Sequence, residues 1–256
     1  MDKVIVISAG LIIGSFLNNI ISYLCSFSRF DLTRSTCLCG EKRLGFPELL
    51  PLISYLILKG KCRACSRKIP FRYFLVEIIS FLLVYECYIR IDGRFYFLIY
   101  ALLTLSLLVI GIVDYYKLII PNSLVLLIAA IAVYKIVFEN DFSLAVLYPS
   151  LFMISFFSLF NLIYSKTKGQ RAIGFGDIKL LSSLGLFFSP AISLLGVWLS
   201  SFIAIPGFYL IKALNKRQNK SDYKVPYGFF ISLTFILIVF FQDGMSNYFK
   251  LLFKEL

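Results

Sequence analysis

The sequence predicts an all-α polytopic membrane protein with about eight transmembrane helices, and three observations support this prediction. Apolar residues make up 59% of the 256 residues, above the share of about half that is usual in soluble domains, and the mean hydropathy is +0.86. Runs long enough to cross a hydrocarbon layer, which takes about 20 residues, recur along nearly the whole chain. The basic residues cluster between these runs, as they do in the cytoplasmic loops of membrane proteins.

The predicted spans cover residues 4–24, 73–89, 95–113, 118–138, 142–164, 178–189, 191–211 and 226–241. The first run lacks the basic start and the small-residue cleavage site of a signal peptide, so we predict that it is retained as a span. Ten of the 26 basic residues lie between Arg29 and Arg72, which places that loop in the cytoplasm. By alternation, the loops around Asp114, around residues 169–177 and around residues 212–224 lie on the same side.

One change of composition divides the chain. Residues 26–72 are polar, basic and Cys-bearing, which predicts a small cytosolic subdomain between the first helix (1–25) and a membrane domain (73–256). Thiols in the reducing cytosol are more often free or metal-bound than joined in disulfides. Four ligands of this kind suit tetrahedral zinc, and four reduced thiols are the alternative. The cysteines concerned are Cys37, Cys39, Cys62 and Cys65.

The chain contains no histidine, which removes several classes of hydrolase. Ser-His catalysis, Cys-His catalysis and H-E-x-x-H zinc proteolysis all need an imidazole. Carboxylates, lysines, tyrosines and thiols are the acid–base groups that are left. The basic residues that give the net charge of +12 lie mainly in the predicted loops, as they do in membrane proteins. We therefore predict the lipid bilayer as a partner, and no nucleic acid.

Two aspartates adjoin long apolar runs and therefore need a reason. Asp114 ends the run 105–113, and Asp177 opens the span at 178–189. An ionised Asp in the middle of a bilayer costs roughly 2.5 to 3.5 kcal/mol, so such residues are usually functional or paired. The two lie two spans apart, so both should emerge at the cytoplasmic boundary, where two carboxylates can share one proton. For either aspartate alone, a helix-end residue paired with Lys117 or Lys179 is the simpler interpretation.

Small residues accompany both aspartates. Gly174 and Gly176 precede Asp177 and would let the backbone approach a neighbouring helix or an extended substrate closely. Pro121 follows Asp114 and suits the first turn of the next helix. A pair of this kind could divide its labour as aspartic proteases do: the charged member takes a proton from water and the neutral member donates one to the scissile carbonyl.

Five landmarks, in order, resemble the type IV prepilin peptidases of the GxGD aspartyl protease group. They are Gly14-Ser15-Phe16-Leu17-Asn18; Lys61-Cys62-Arg63-Ala64-Cys65 with Arg72-Tyr73-Phe74-Leu75-Val76-Glu77; Asp114 with Ile120-Pro121-Asn122; Gly174-Phe175-Gly176-Asp177-Ile178-Lys179-Leu180; and Val225-Pro226-Tyr227-Gly228-Phe229-Phe230. The resemblance covers nearly the whole chain. It implies Asp114 and Asp177 as the catalytic pair, supported by Gly174, Gly176, Lys179 and Pro121.

The resemblance also implies a substrate, a place and a cofactor requirement. Prepilins or pseudopilins would be cut after the glycine that ends a short basic leader, at the cytoplasmic face of a bacterial inner membrane. Proteolysis would need no cofactor. S-adenosylmethionine is expected only if the chain also methylates the new N-terminus, and Glu48-Leu49-Leu50-Pro51 stands where the family often has the D-N-I-P associated with that step.

Two other classes of protein remain open at this point. In a carrier or channel subunit, the aspartates would handle ions or protons. In an assembly scaffold of a pilus or secretion machine, they would have no catalytic part. A presenilin-like protease shares G-x-G-D, but the Ile-Pro-Asn after Asp114 and the cysteine loop favour the prepilin type.

Overall fold

A computed structural model describes residues 3–25, 55, 57–62, 66, 68–139, 143–170, 172–214 and 225–252. Within these ranges the chain forms eight α-helices and no β-strand beyond an isolated bridge. The helices are α1 (Lys3–Leu24), α2 (Phe71–Arg90), α3 (Arg94–Lys117), α4 (Asn122–Glu139), α5 (Leu144–Lys168), α6 (Phe175–Phe187), α7 (Pro190–Leu214) and α8 (Tyr227–Leu252). The all-α prediction is confirmed, and each helix overlaps one predicted span.

Five of the described helices are long and apolar enough to cross a membrane, which confirms a multi-pass membrane protein. These five are α1, α3, α4, α5 and α7. The helix α2 carries four charged side chains, and α8 meets the apolar criterion only over a shorter stretch, Tyr227–Phe241. The helix α6 has 13 residues and rises about 20 Å, less than the hydrocarbon thickness of about 30 Å. A count of eight spans stays a prediction.

The helices group into two compact units, Met1–Ala101 and Leu102–Leu256. In the first unit α1 packs against α2 with the two backbones nearly touching. A Cβ on Gly14 would lie 2.9 Å from the Cα of Glu77, and Gly10 makes the same kind of approach one turn earlier. The side-chain amide of Asn18 donates to the carbonyl of Tyr73 at 2.9 Å. Gly10 and Gly14 therefore form a helix-packing surface of the small-xxx-small kind, and the Gly14–Asn18 landmark begins at its second glycine.

In the second unit α6 is the inner helix. It packs against α4 and α5 and makes smaller contacts with α7 and α8. Seven of its 13 residues are buried, which explains why its apolar residues do not form a single stripe. The backbones of α5 and α6 meet at Gly185, where a Cβ would lie 3.1 Å from the backbone of Pro149.

The carboxyl end of α6 is bound by a lysine of α4. The ammonium group of Lys135 donates to the carbonyl of Phe187 at 3.2 Å and lies 4.8 Å from the centroid of that ring. The last carbonyls of a helix lack partners within it and carry partial negative charge, so a cation there stabilises the helix end. Contacts with α4 and α5 thus hold α6 in place and position its first turn.

Candidate active site

Asp114 lies at the end of α3 and is buried, with 5% of its surface exposed. Its Oδ2 accepts a hydrogen bond of 3.0 Å from the backbone N–H of Phe229. Phe229 is the third residue of α8, and the N–H groups of a helix's first turn have no partner inside the helix and carry partial positive charge. The amino end of α8 therefore stabilises the ionised form of the Asp114 carboxylate.

Gly228 makes this approach possible because it has no side chain. A Cβ at this position would lie 3.0 Å from both Cγ and Oδ2 of Asp114, closer than normal van der Waals contact. One turn earlier on α3, a Cβ on Gly111 would lie 3.2 Å from the Cβ of Ser232. At both glycines, side chains of the neighbouring helix occupy the space that a Cβ would need, so the end of α3 and the start of α8 lie close together.

The chain turns sharply after Asp114. Leu118 has φ +56°, in the left-handed region, and its N–H donates to the carbonyl of Asp114 at 2.8 Å. This is the single-bond left-handed ending of a helix, made here by a leucine instead of the usual glycine. It directs Ile120 back into the protein, where the side chain contacts the sites at which Cβ atoms of Gly176 (3.1 Å) and Gly228 (2.8 Å) would lie. Ile120 thus fills the space between the glycine beside Asp177 and the glycine beside Asp114.

Asp177 lies half-buried in the first turn of α6. Gly174 is the N-cap of that helix, and a Cβ on it would lie 2.9 Å from Oδ2 of Asp177, so the carboxylate folds back over the start of its own helix. Removal from water and then the negative charge of Asp114 raise the pKa of Asp177 to about 7, while a backbone hydrogen bond from Gly174 acts in the opposite direction. The two carboxylates are therefore close enough to interact.

The remaining predicted supporting residues lie around the start of α4. The ammonium group of Lys179, which is exposed, donates to the side-chain oxygen of Asn122 at 3.2 Å and so links the first turns of α6 and α4. Pro121 lies one residue before α4 instead of inside its first turn. Its carbonyl accepts the N–H groups of Leu124 and Val125 at 3.2 and 3.3 Å.

Several residues that shape this site were not predicted from the sequence. Gly228, Phe229 and Ile120 stood inside recognised landmarks, but only the folded contacts show that they touch Asp114 or the space beside it. Asn161 had a signal of its own, a lone amide within an apolar span. It is buried, with 7% exposed, and binds the backbone just before Gly174.

The predicted zinc ligands lie mostly outside the described residues. Cys37, Cys39 and Cys65 belong to that part of the chain, as does the stretch 48–51. Cys62 is buried and follows an isolated antiparallel bridge between Lys61 and Lys68. The zinc site and the methyl-transfer prediction stay predictions.

Two family models match the chain in succession. The bacterial Peptidase A24 N-terminal domain matches residues 8–91, and the type IV leader peptidase family matches residues 101–209, a segment that contains both Asp114 and Asp177. The chain belongs to the type IV leader peptidase family. The resemblance inferred from the sequence landmarks is confirmed, and the chain is an enzyme of the prepilin peptidase type.

Curated relatives agree with this assignment over most of their length. A prepilin leader peptidase/N-methyltransferase of Pseudomonas putida is 28% identical, with 91% of this chain and 88% of the relative covered. The Vibrio cholerae protein of that name is 29% identical, covering 90% and 93%. The Myxococcus xanthus protein of that name is 32% identical, covering 83% and 64%. No solved structure gives a significant match.

Proposed function

We propose that this prepilin peptidase is a membrane aspartic endopeptidase that uses Asp114 and Asp177 as a dyad. Its substrates are type IV prepilins or pseudopilins, from which it removes the short basic leader. The observation that carries the proposal is the proximity of two carboxylates from separate helices, one at the end of α3 and one at the start of α6. Two like charges at one site share a proton near neutral pH, which is the arrangement that peptide hydrolysis by carboxylates requires.

The different surroundings of the two carboxylates assign them different catalytic roles. Asp177, whose pKa is raised to about 7, holds the shared proton and donates it to the oxygen of the scissile carbonyl. Asp114, which accepts the N–H of Phe229, stays ionised and takes a proton from the attacking water. The water oxygen then bonds to the carbonyl carbon. When the tetrahedral intermediate collapses, the C–N bond breaks and the proton held by Asp114 passes to the leaving amine. One hydroxyl of the intermediate returns its proton to Asp177 as the carboxylic acid product forms, which restores the starting state of the pair.

The charge pattern supports an active site that faces the cytoplasm. The loops after Lys166 and after Lys212 are basic, as are residues 26–72, and basic loops remain on the cytoplasmic side of a bacterial inner membrane. A basic leader is retained on that side for the same reason, so the enzyme and the bond it cuts would lie together. The names of the curated relatives include prepilin as the substrate, which supports prepilins here.

The sequence also predicted a structural zinc site and, conditionally, methyl transfer, and only the zinc site is part of the proposal. We keep structural zinc at Cys37, Cys39, Cys62 and Cys65 as part of the proposal, because four thiolates suit the tetrahedral metal. N-methyltransferase activity, for which S-adenosylmethionine was the methyl donor expected from the sequence, is in the names of the curated relatives. We leave it out of the proposal, since Glu48-Leu49-Leu50-Pro51 lacks the Asp-Asn pair of the family pattern.

The test is co-expression with a candidate prepilin, followed by mass spectrometry of the prepilin N-terminus. Asp114→Asn and Asp177→Asn should each lower leader removal at least about 100-fold, as expected when a general acid or base is lost. Asp92→Asn is the matched control, because Asp92 is an exposed aspartate between α2 and α3. Cleavage by either dyad variant at the rate of the control would refute the dyad, provided that all three proteins accumulate equally in the membrane.

A further inference from the structure

Asn161 is a polar residue in an apolar helix, and its side chain makes three hydrogen bonds to one short segment of backbone. Its neighbours on α5, including Phe160 and Leu162, are apolar and exposed. Its own side chain is buried, and its Oδ1 accepts the N–H groups of Ala172 at 3.0 Å and Ile173 at 2.9 Å. Its Nδ2 donates to the carbonyl of Ile173 at 2.8 Å.

Three hydrogen bonds account for this amide's place in the helix. Transferring an unpaired amide out of water is unfavourable, so a buried Asn must find hydrogen-bond partners or destabilise the protein. Here the oxygen accepts two bonds and the nitrogen donates one, close to the full capacity of the group. The three bonds also pair backbone groups of residues 172 and 173, which lie between α5 and α6 and have no helical partners there.

The segment held by Asn161 leads directly into the first turn of α6. Ile173 precedes Gly174, the N-cap, which is extended at φ −66° and ψ 144°. Asp177 follows three residues after the cap. With residues 172 and 173 fixed, the direction in which the chain enters α6 is fixed as well, and so is the place of the Asp177 carboxylate.

We propose that Asn161 is a positioning residue for Asp177, which it holds opposite Asp114 through its hydrogen bonds to residues 172 and 173. This inference rests on the proposed dyad. The hydrogen bonds of Asn161 go to residues 172 and 173, so it would act on Asp177 through the start of α6, and we expect its loss to change the turnover of bound substrate more than substrate binding. A displacement of about 1 Å at a catalytic group lowers the rate by up to roughly 100-fold.

The test uses Asn161→Leu, which is close in size, removes all three hydrogen bonds and adds apolar character to a membrane helix. With the purified full-length chain and a prepilin substrate in detergent, kcat should fall about 10- to 100-fold while KM stays within about twofold. Asn161→Asp keeps the oxygen that accepts both N–H groups, and in its protonated form it donates to the carbonyl of Ile173 in place of the amide, so it should recover part of the lost kcat. Ser155→Ala is the matched control, because the Ser155 hydroxyl bonds only to carbonyls of its own helix, those of Leu151 and Phe152.

The outcomes separate a positioning residue from a merely structural one. A fall in kcat that only mirrors a lower folded fraction, measured by size-exclusion chromatography and thermal unfolding, would overturn the inference. So would a rise in KM at constant kcat, or an equal loss in the Ser155 control. If Asp177→Asn is inactive while Asn161→Leu cleaves normally, the positioning inference fails and the dyad stands; if Asp177→Asn is fully active, the dyad itself fails.

Discussion

Substitution of Gly228 by alanine tests the contact between the start of α8 and Asp114. The added methyl group would lie 3.0 Å from Cγ and Oδ2 of Asp114 and 2.8 Å from Cδ1 of Ile120. Non-bonded carbon atoms prefer about 3.5 to 4.0 Å, so the Asp114 carboxylate and the first turn of α8 must move apart by several tenths of an ångström. Phe229 moves with that turn, and its hydrogen bond of 3.0 Å to the carboxylate is lost or lengthened.

The size of the effect follows from that hydrogen bond. A hydrogen bond to a charged group contributes about 1.5 to 3 kcal/mol, which corresponds to roughly 10- to 150-fold at 1.36 kcal/mol for each factor of ten. We therefore expect kcat for leader removal to fall by one to two orders of magnitude. Crowding should also lower the stability of the protein by about 1 to 3 kcal/mol.

The assay is initial-rate cleavage of a purified prepilin, with Gly196→Ala as the control. A methyl group on Gly196 crowds the buried ring of Phe235, also on α8, without contact to either aspartate. Both variants should therefore lose stability, while only the Gly228 variant should lose kcat beyond its folded fraction. Equal kcat values in the two variants would refute the role given to the start of α8.

Two further predictions concern Asp177, the other aspartate of the pair, and the carboxyl end of α6. Because the pKa of Asp177 is raised to about 7, its proton is present below that pH and lost above it, so kcat/KM should decline as the pH rises through about 7. A kcat/KM that stays level well into the alkaline range would contradict the role of Asp177 as proton donor. Lys135→Met removes the hydrogen bond to Phe187, of about 1.5 kcal/mol, and should lower the Tm by roughly 3 to 6 °C with kcat unchanged. Differential scanning fluorimetry in detergent measures the Tm, and a parallel cleavage assay measures kcat. An unchanged Tm would contradict the stabilising role of Lys135 at the end of α6.

Hydropathy located the helices, but three predicted boundaries at the active site differ from the observed ones: the end of α3, the start of α4 and the start of α6. The predicted span 118–138 began at Leu118, whereas α4 begins at Asn122. Leu118, Ile119 and Ile120 are apolar, and hydropathy does not distinguish residues of a membrane helix from those of an apolar turn. The turn arises from the left-handed conformation of Leu118, which nothing in its residue type would favour.

The two aspartates could be singled out from the sequence because a carboxylate beside an apolar run is costly wherever the chain folds. Their neighbours could not. Gly228 needs to be small because Asp114 and Ile120 approach it, and the amide of Asn161 is hydrogen-bonded because residues 172 and 173 lie beside it. Both facts depend on contacts between helices, whereas residue type and spacing report on one segment at a time.

The short helix α6 bears on how the enzyme responds to its membrane. Both of its ends are tied to protein groups, at Phe187 by Lys135 and just before Gly174 by Asn161. Membrane helices accommodate a thicker or thinner bilayer largely by tilting, and that response acts on the helices in contact with lipid. Asp177 is instead positioned by a helix that is held at both ends by protein groups, and Asp114 lies on α3, which is mostly buried inside the protein. Leader cleavage should therefore vary little with acyl-chain length.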